Sequence, residues 1–116
     1  MMVRILMKFE EDPMQNIIIV SSIDKNNHIP KNTEFFGSVY DWNEDRKDYV
    51  RYPFYSDPKG RAENNAVMNW QPEESPSYIE LYNRRIVSGE KIIRTDYENG
   101  KGITSVYTIM NITELP

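Results

Sequence analysis

Apolar residues come in short runs separated by polar clusters, which is the spacing of strands and tight turns. Residues 2–9 (MVRILMKF) and 16–23 (NIIIVSSI) read as two strands, with Glu11-Asp12-Pro13 turning between them. The run Ile17–Val20 is continuous rather than alternating, so it predicts a central strand buried on both faces. Residues 24–33 are polar and contain Pro30, a loop. Residues 34–41 predict a third strand with Gly37 as a candidate bulge, and 49–55 a fourth, which Pro53 confines to an edge or ends early. Ser56-Asp57-Pro58-Lys59-Gly60 is a turn: Pro fixes φ and Gly accepts a positive one. Residues 62–70 suit a short helix or a strand equally, and Pro72 and Pro76 bound a loop.

Ser75-Pro76 has the form of a helix start, Ser as N-cap and Pro in the first turn. Tyr78, Ile79, Tyr82 and Ile86 then recur at helical spacing, and Gly89 stands where a terminating glycine would. The pattern predicts a helix over 76–87. Residues 90–97 and 103–115 flank Glu98-Asn99-Gly100-Lys101-Gly102, the signature of a β-hairpin. The predicted fold is therefore α+β: a small, mostly antiparallel sheet, one helix (76–87) packed on it, and a C-terminal hairpin. The rival is a compact β-barrel in which 76–87 is a strand.

Length supports one domain, residues 1–116, large enough for a core without staples. Cysteine is absent, which excludes disulfides, thiolate nucleophiles and Cys-ligated zinc and suits a reducing compartment. The N-terminal apolar stretch runs straight into Glu10, Glu11 and Asp12 and lacks the form of a secretory signal. No apolar run nears the roughly 20 residues of a membrane span. The expectation is a cytoplasmic protein with no membrane partner. Formal charge is −4, so direct nucleic-acid binding is disfavoured and a partner with a basic surface is favoured.

Candidate chemistry is sparse. His28 is the only histidine and falls in a polar loop, where an exposed imidazole is the ordinary outcome. Asp41, Asn43 and Asp45 start like a calcium loop, but Arg46 replaces the required glycine and Tyr52 the bidentate glutamate, so no metal site is expected. Asn99-Gly100-Lys101-Gly102 lacks the phosphate-loop frame. Asn111-Ile112-Thr113 matches a glycosylation acceptor, which carries no weight without a secretory signal. Carboxylates are plentiful, but no pair is singled out by spacing. No catalytic residue and no cofactor is assigned.

What stands out is the segment 35–55, which holds eight of the fourteen aromatic residues, interleaved with charge. Alternation should send about half the rings inward. Phe35, Phe36, Tyr40, Tyr49 and Phe54 suit core filling. The contact surface is expected to draw on Tyr40, Trp42, Glu44, Asp45, Asp48, Arg51, Tyr52 and Tyr55, residue types that dominate binding hot spots.

The leading functional expectation is a small acidic inhibitor of the immunity-protein or viral anti-defence kind, acting by occluding a macromolecular partner; exposed rings could also seal a homodimer. The alternative is a small-molecule binder, with a nucleotide as the example, using Tyr78, Tyr82, Arg84, Arg85 and Arg94, since guanidinium groups beside rings can stack on a base and hold its phosphate. A carboxylate enzyme ranks third.

Overall fold

Eight strands follow one another as an antiparallel meander and close into a barrel: β1 Met2–Phe9, β2 Asn16–Ser22, β3 Phe35–Asn43, β4 Asp48–Ser56, β5 Asn65–Trp70, β6 Ser77–Glu80, β7 Lys91–Glu98 and β8 Lys101–Glu114. The computed structural model describes residues 1–60, 62–70 and 75–116. Pro72, read as a loop boundary, lies outside them. Closure comes from β8 pairing with β1, Val3 opposite Glu114 through to Phe9 opposite Tyr107, and leaves the sheet no outer edge. The register slips once, between Leu6 and Met7, where Met110 is the extra residue of a bulge in the fourteen-residue β8.

Period-two alternation builds the interior. Val3, Ile5 and Met7 on β1, Ile17 and Ile19 on β2, Phe35 and Val39 on β3, Ala66 and Met68 on β5, Ile79 on β6, Ile92 on β7 and Tyr107 and Ile109 on β8 all point inward and are buried. Fully burying one such aliphatic side chain contributes about 1.5–3 kcal/mol, so this row is the main source of stability. Ile18 and Val20 are half-buried on the outer face. The expectation of a strand buried on both faces is thus corrected: β2 is an ordinary barrel strand with a greasy outer side.

The α+β expectation is overturned, and the barrel is the observed architecture. No α-helix occurs among the described residues, only a single 3₁₀ turn at Pro58–Gly60. Of the expected helix 76–87, Ser77–Glu80 is strand and the remainder is a looped segment. The helical stripe omitted Leu81, yet Ser77, Ile79 and Leu81 are the residues that point inward, at period two. Past the strand, backbone groups find partners elsewhere in the chain. Leu81 N and Tyr82 N both donate to Asn64 O, Ile86 N to Asn27 O, and Gly89 N to Ile109 O. Gly89 has φ 93°, which serves this loop and not a helix end. Segment 62–70, left open between helix and strand, is β5 preceded by a bridge between Ala62 and Asn65.

Two ends result. At one, the β2–β3 loop and the β6–β7 loop fold over the barrel and insert Ile23, Ile29, Leu81, Tyr82 and Ile86. This end is closed. At the other, the β3–β4 and β7–β8 hairpins project well beyond the short β5 and β6. Among the described residues the β4–β5 ladder pairs Phe54 with Trp70 and Tyr55 with Asn69, and β4 runs on through Pro53, opposite Ser38 of β3, so Pro53 neither ends the strand early nor confines it to an edge. The β7–β8 turn is Asn99-Gly100, both at positive φ (51° and 77°), the two-residue turn that matches strand twist. This end is open. No described helix is long and apolar enough to cross a membrane.

Candidate functional site

The open end is a cavity of about 750 Å³ between the two projecting hairpins. Val39, Asp41 and Tyr52 line it from the β3–β4 side, and Asp96, Tyr97, Glu98 and Ile103 from the β7–β8 side. Trp70, Ser75, Ser77, Arg94 and Gln15 complete the wall and floor. Strand parity explains most of this. In β7, Ile92 faces the core, so Arg94 and Asp96 must face inward as well. In β3, Val39 faces inward, and so does Asp41.

A hydrogen-bonded chain of seven side chains crosses the floor. Trp70 Nε1 donates to Ser77 Oγ at 3.1 Å, and Ser77 Oγ donates to Asp96 Oδ1. Arg94 Nη2 donates to the same oxygen at 3.2 Å, while Arg94 Nη1 reaches the Tyr107 hydroxyl at 3.4 Å. Tyr107 donates to Gln15 Oε1, and Gln15 Nε2 donates to Asp41 Oδ1 at 2.7 Å. Five strands and the β1–β2 turn are tied together in this way. Arg94 Nε lies 3.1 Å from Asp96 Oδ2, an ion-pair distance, but its N–H is not aimed at that oxygen. The guanidinium also sits over the Trp70 indole, 5.2 Å from the ring centre. Below this layer Phe9 stacks on Tyr107 and Phe54 meets Trp70 edge-on, so the polar floor rests on packed rings.

Burial pushes the Tyr107 phenol above its ordinary value, with the Arg94 charge and hydrogen bond acting the other way. The folded protein therefore keeps this proton where the unfolded chain gives it up. Stability owed to the group is full below pH 10 and is lost as pH rises through the folded value. We expect urea midpoints measured from pH 8 to 11 to fall more steeply in the wild type than in Tyr107→Phe. Parallel curves would rule out Tyr107 as the source.

The residues expected to bind a partner are split by the strands. Tyr40, Trp42, Arg51 and Tyr55 lie on the outer face of the β3–β4 hairpin, while Tyr52 points into the cavity. Arg51 Nε donates to Ser38 Oγ at 2.8 Å across the hairpin. Glu44, Asp45 and Asp48 are at its exposed tip, where Glu44 pairs with Lys47 at 3.3 Å and Asp48 with Arg46 at 3.1 Å, so the acids are partly neutralised in place. Core assignment of the rings fails for Phe36 and Tyr49, which are 58 % and 41 % exposed, whereas Phe35 and Phe54 are buried. Tyr49 meets Trp42 edge-on, 5.2 Å between centres. Opposite strand positions put Phe36 beside Tyr55 and Tyr40 beside Arg51, forming one outward stripe.

The alternative ligand set does not converge. Arg94 is at the open end, and Arg84 and Arg85 are in the loop at the closed end. Arg84 is held by Glu80 at 2.5 Å, with Glu90 at 4.0 Å. Tyr82 is buried there, and Tyr78 is on the outer face against Tyr97. His28 lies in the β2–β3 loop, also far from the cavity; its N–H and that of Asn26 bond Asp24 and hold that carboxyl below its usual range. Sequence reasoning missed Gln15, Trp70, Ser77, Asp96 and Tyr107. One signal was available: Arg94 and Asp96 share the parity of Ile92, which places charge at core-facing positions of a strand.

Comparisons with family models, with curated proteins and with solved structures returned no match to this chain.

Proposed function

We propose that the chain binds a small organic molecule in the open end of its barrel. One observation carries the reading: a cavity of about 750 Å³ whose floor is a cross-strand polar network and whose walls carry rings and aliphatic groups. Sites for small ligands have this size and this make-up, apolar walls with a few fixed polar groups. Eight strands also give a barrel just wide enough to hold one such ligand. The reading is non-catalytic, and the absence of cysteine favours a cytoplasmic setting.

A second reading, occlusion of a protein partner with a basic surface, is favoured by the outward stripe of Phe36, Tyr40, Trp42, Tyr49 and Tyr55 beside an acid-containing turn. Contiguous exposed rings mark interaction surfaces. A second copy of the chain is one such partner.

One experiment with two arms separates these readings. In a thermal-shift screen of small molecules, hits should stabilise the wild type and vanish in Ile103→Trp, which fills the cavity from an exposed position on β8. An absence of hits, or hits that persist in Ile103→Trp, would reject the first reading. In the other arm, Tyr49→Ser/Tyr55→Ser should keep every hit but lose a captured protein partner, with sedimentation reporting self-association. Identical captures by wild type and double variant would reject the second.

A further inference from the structure

We infer that the ligand of the open end is an organic cation, an ammonium or amidinium group on an apolar body. The inference rests on the small-molecule reading and assigns its chemical class. Among the described residues, three carboxylates (Asp41, Asp96 and Glu98) line the cavity with one cation, Arg94. That cation is already spent, because its guanidinium bonds Asp96 and lies over Trp70. The barrel thus shows in its own structure how it holds a positive group: one carboxylate and one ring face.

The same combination recurs on the opposite wall. Asp41 stands across from Val50 and Tyr52 across from Val39, so Asp41 and Tyr52 are diagonal neighbours on the inner face of one hairpin, roughly 7–8 Å apart at the backbone. Asp41 Oδ1 accepts from Gln15, while its Oδ2 and the Glu98 carboxylate have no protein partner among the described residues. An anionic ligand would face these charges with no unpaired cation among the described lining residues to receive it. A neutral one would strip water from the carboxylates and return nothing. A cation pairs with them, takes the Tyr52 face, and lays its apolar part on Val39 and Ile103.

The test uses three matched probes on the purified full chain: 4-phenylbutylammonium, 4-phenylbutanol and 4-phenylbutyrate, titrated by calorimetry at low and high salt. The ammonium should bind at least about tenfold more tightly than the other two and weaken with salt. Asp41→Asn and Glu98→Gln should each lower ammonium affinity by about three- to tenfold and leave the alcohol unchanged. Glu98 is on an exposed hairpin tip, so its variant folds whatever happens at Asp41. If the alcohol or the carboxylate binds as well as the ammonium, and Ile103→Trp abolishes that binding, the cation class is overturned and the cavity reading stands. If none of the three binds, both are overturned.

Discussion

Gly37→Ala is expected to lower stability by about 2–3 kcal/mol, near the upper end for overpacking a core. A Cβ at position 37 would press into the carbonyl oxygen of Ile18 on the neighbouring strand and lie 2.8 Å from the tip of the Phe54 ring and 3.2 Å from Ile19 Cα. One of these neighbours can yield and two cannot, because the Ile18 and Ile19 atoms are backbone of the paired strand β2. Alanine also removes freedom from the unfolded chain, worth roughly 0.4–1 kcal/mol in its favour, which is too little to change the sign. At this chain length the net loss should lower Tm by about 8–12 °C. Trimming the ring in Gly37→Ala/Phe54→Leu should not rescue it, since the tighter obstacle is the carbonyl. A Tm within about 2 °C of wild type would show that β2 and β3 can separate there at little cost. Gly37 is thus a site of close backbone approach. The ladders on both of its sides run through it without a register shift, so it is not the bulge its sequence suggested.

That glycine illustrates where the sequence was legible. β1, β2, β3, β4 and the β7–β8 hairpin could be read from local pattern and turn chemistry, to within a residue or two. The Asn- and Gly-rich loop 98–102 marked the hairpin, and the ladder narrows its turn to Asn99-Gly100 by pairing Glu98 with Lys101 and Tyr97 with Gly102. The helix failed for a reason local pattern does not contain: Tyr78, Ile79, Tyr82 and Ile86 satisfy a helical stripe and a strand-plus-plug equally well, and the arbiter is the barrel end that the plug fills. The rings of 35–55 were misassigned because inward and outward parity depends on register, and a strand read alone carries no register. Only Phe35 and Phe54 are buried, while Phe36 and Tyr49, one parity step away, face solvent. The cavity floor was the least legible part. Gln15 comes from a turn and Tyr107 from far along β8, and only closure of β8 onto β1 brings the two together.

The open end also follows from unequal strand lengths. β5 and β6 have six and four residues, against nine in β3 and β4 and fourteen in β8. Among the described residues, the long hairpins leave walls on two sides of the mouth. The polar layer lies where these walls meet the cavity, and Asp96, 34 % exposed, is still partly wet there. That position makes a buried ion pair affordable in desolvation and keeps it within reach of a ligand.

Arg94→Met should therefore cost about 2–3 kcal/mol, less than the 3–5 kcal/mol of breaking a fully buried pair. The discount has a structural cause: the Arg94 side chain is 16 % exposed but Asp96 is 34 % exposed, so a stranded carboxylate keeps some water. Methionine retains most of the aliphatic packing and some affinity for the Trp70 ring, so the measured loss isolates charge more than volume. Asp96→Asn alone should cost less, because the amide oxygen can still accept from Ser77 and from Arg94. The decisive quantity is the double variant Arg94→Met/Asp96→Asn. With neither charge present, no desolvated ion is left unpaired, and the double variant should be more stable than Arg94→Met alone, a coupling on the order of 1–2 kcal/mol. Chemical denaturation of the four proteins at pH 7 measures this directly. Additive losses would mean that Arg94 acts on Trp70 and Tyr107 independently of Asp96, and the floor would then be two separate contacts instead of one connected layer.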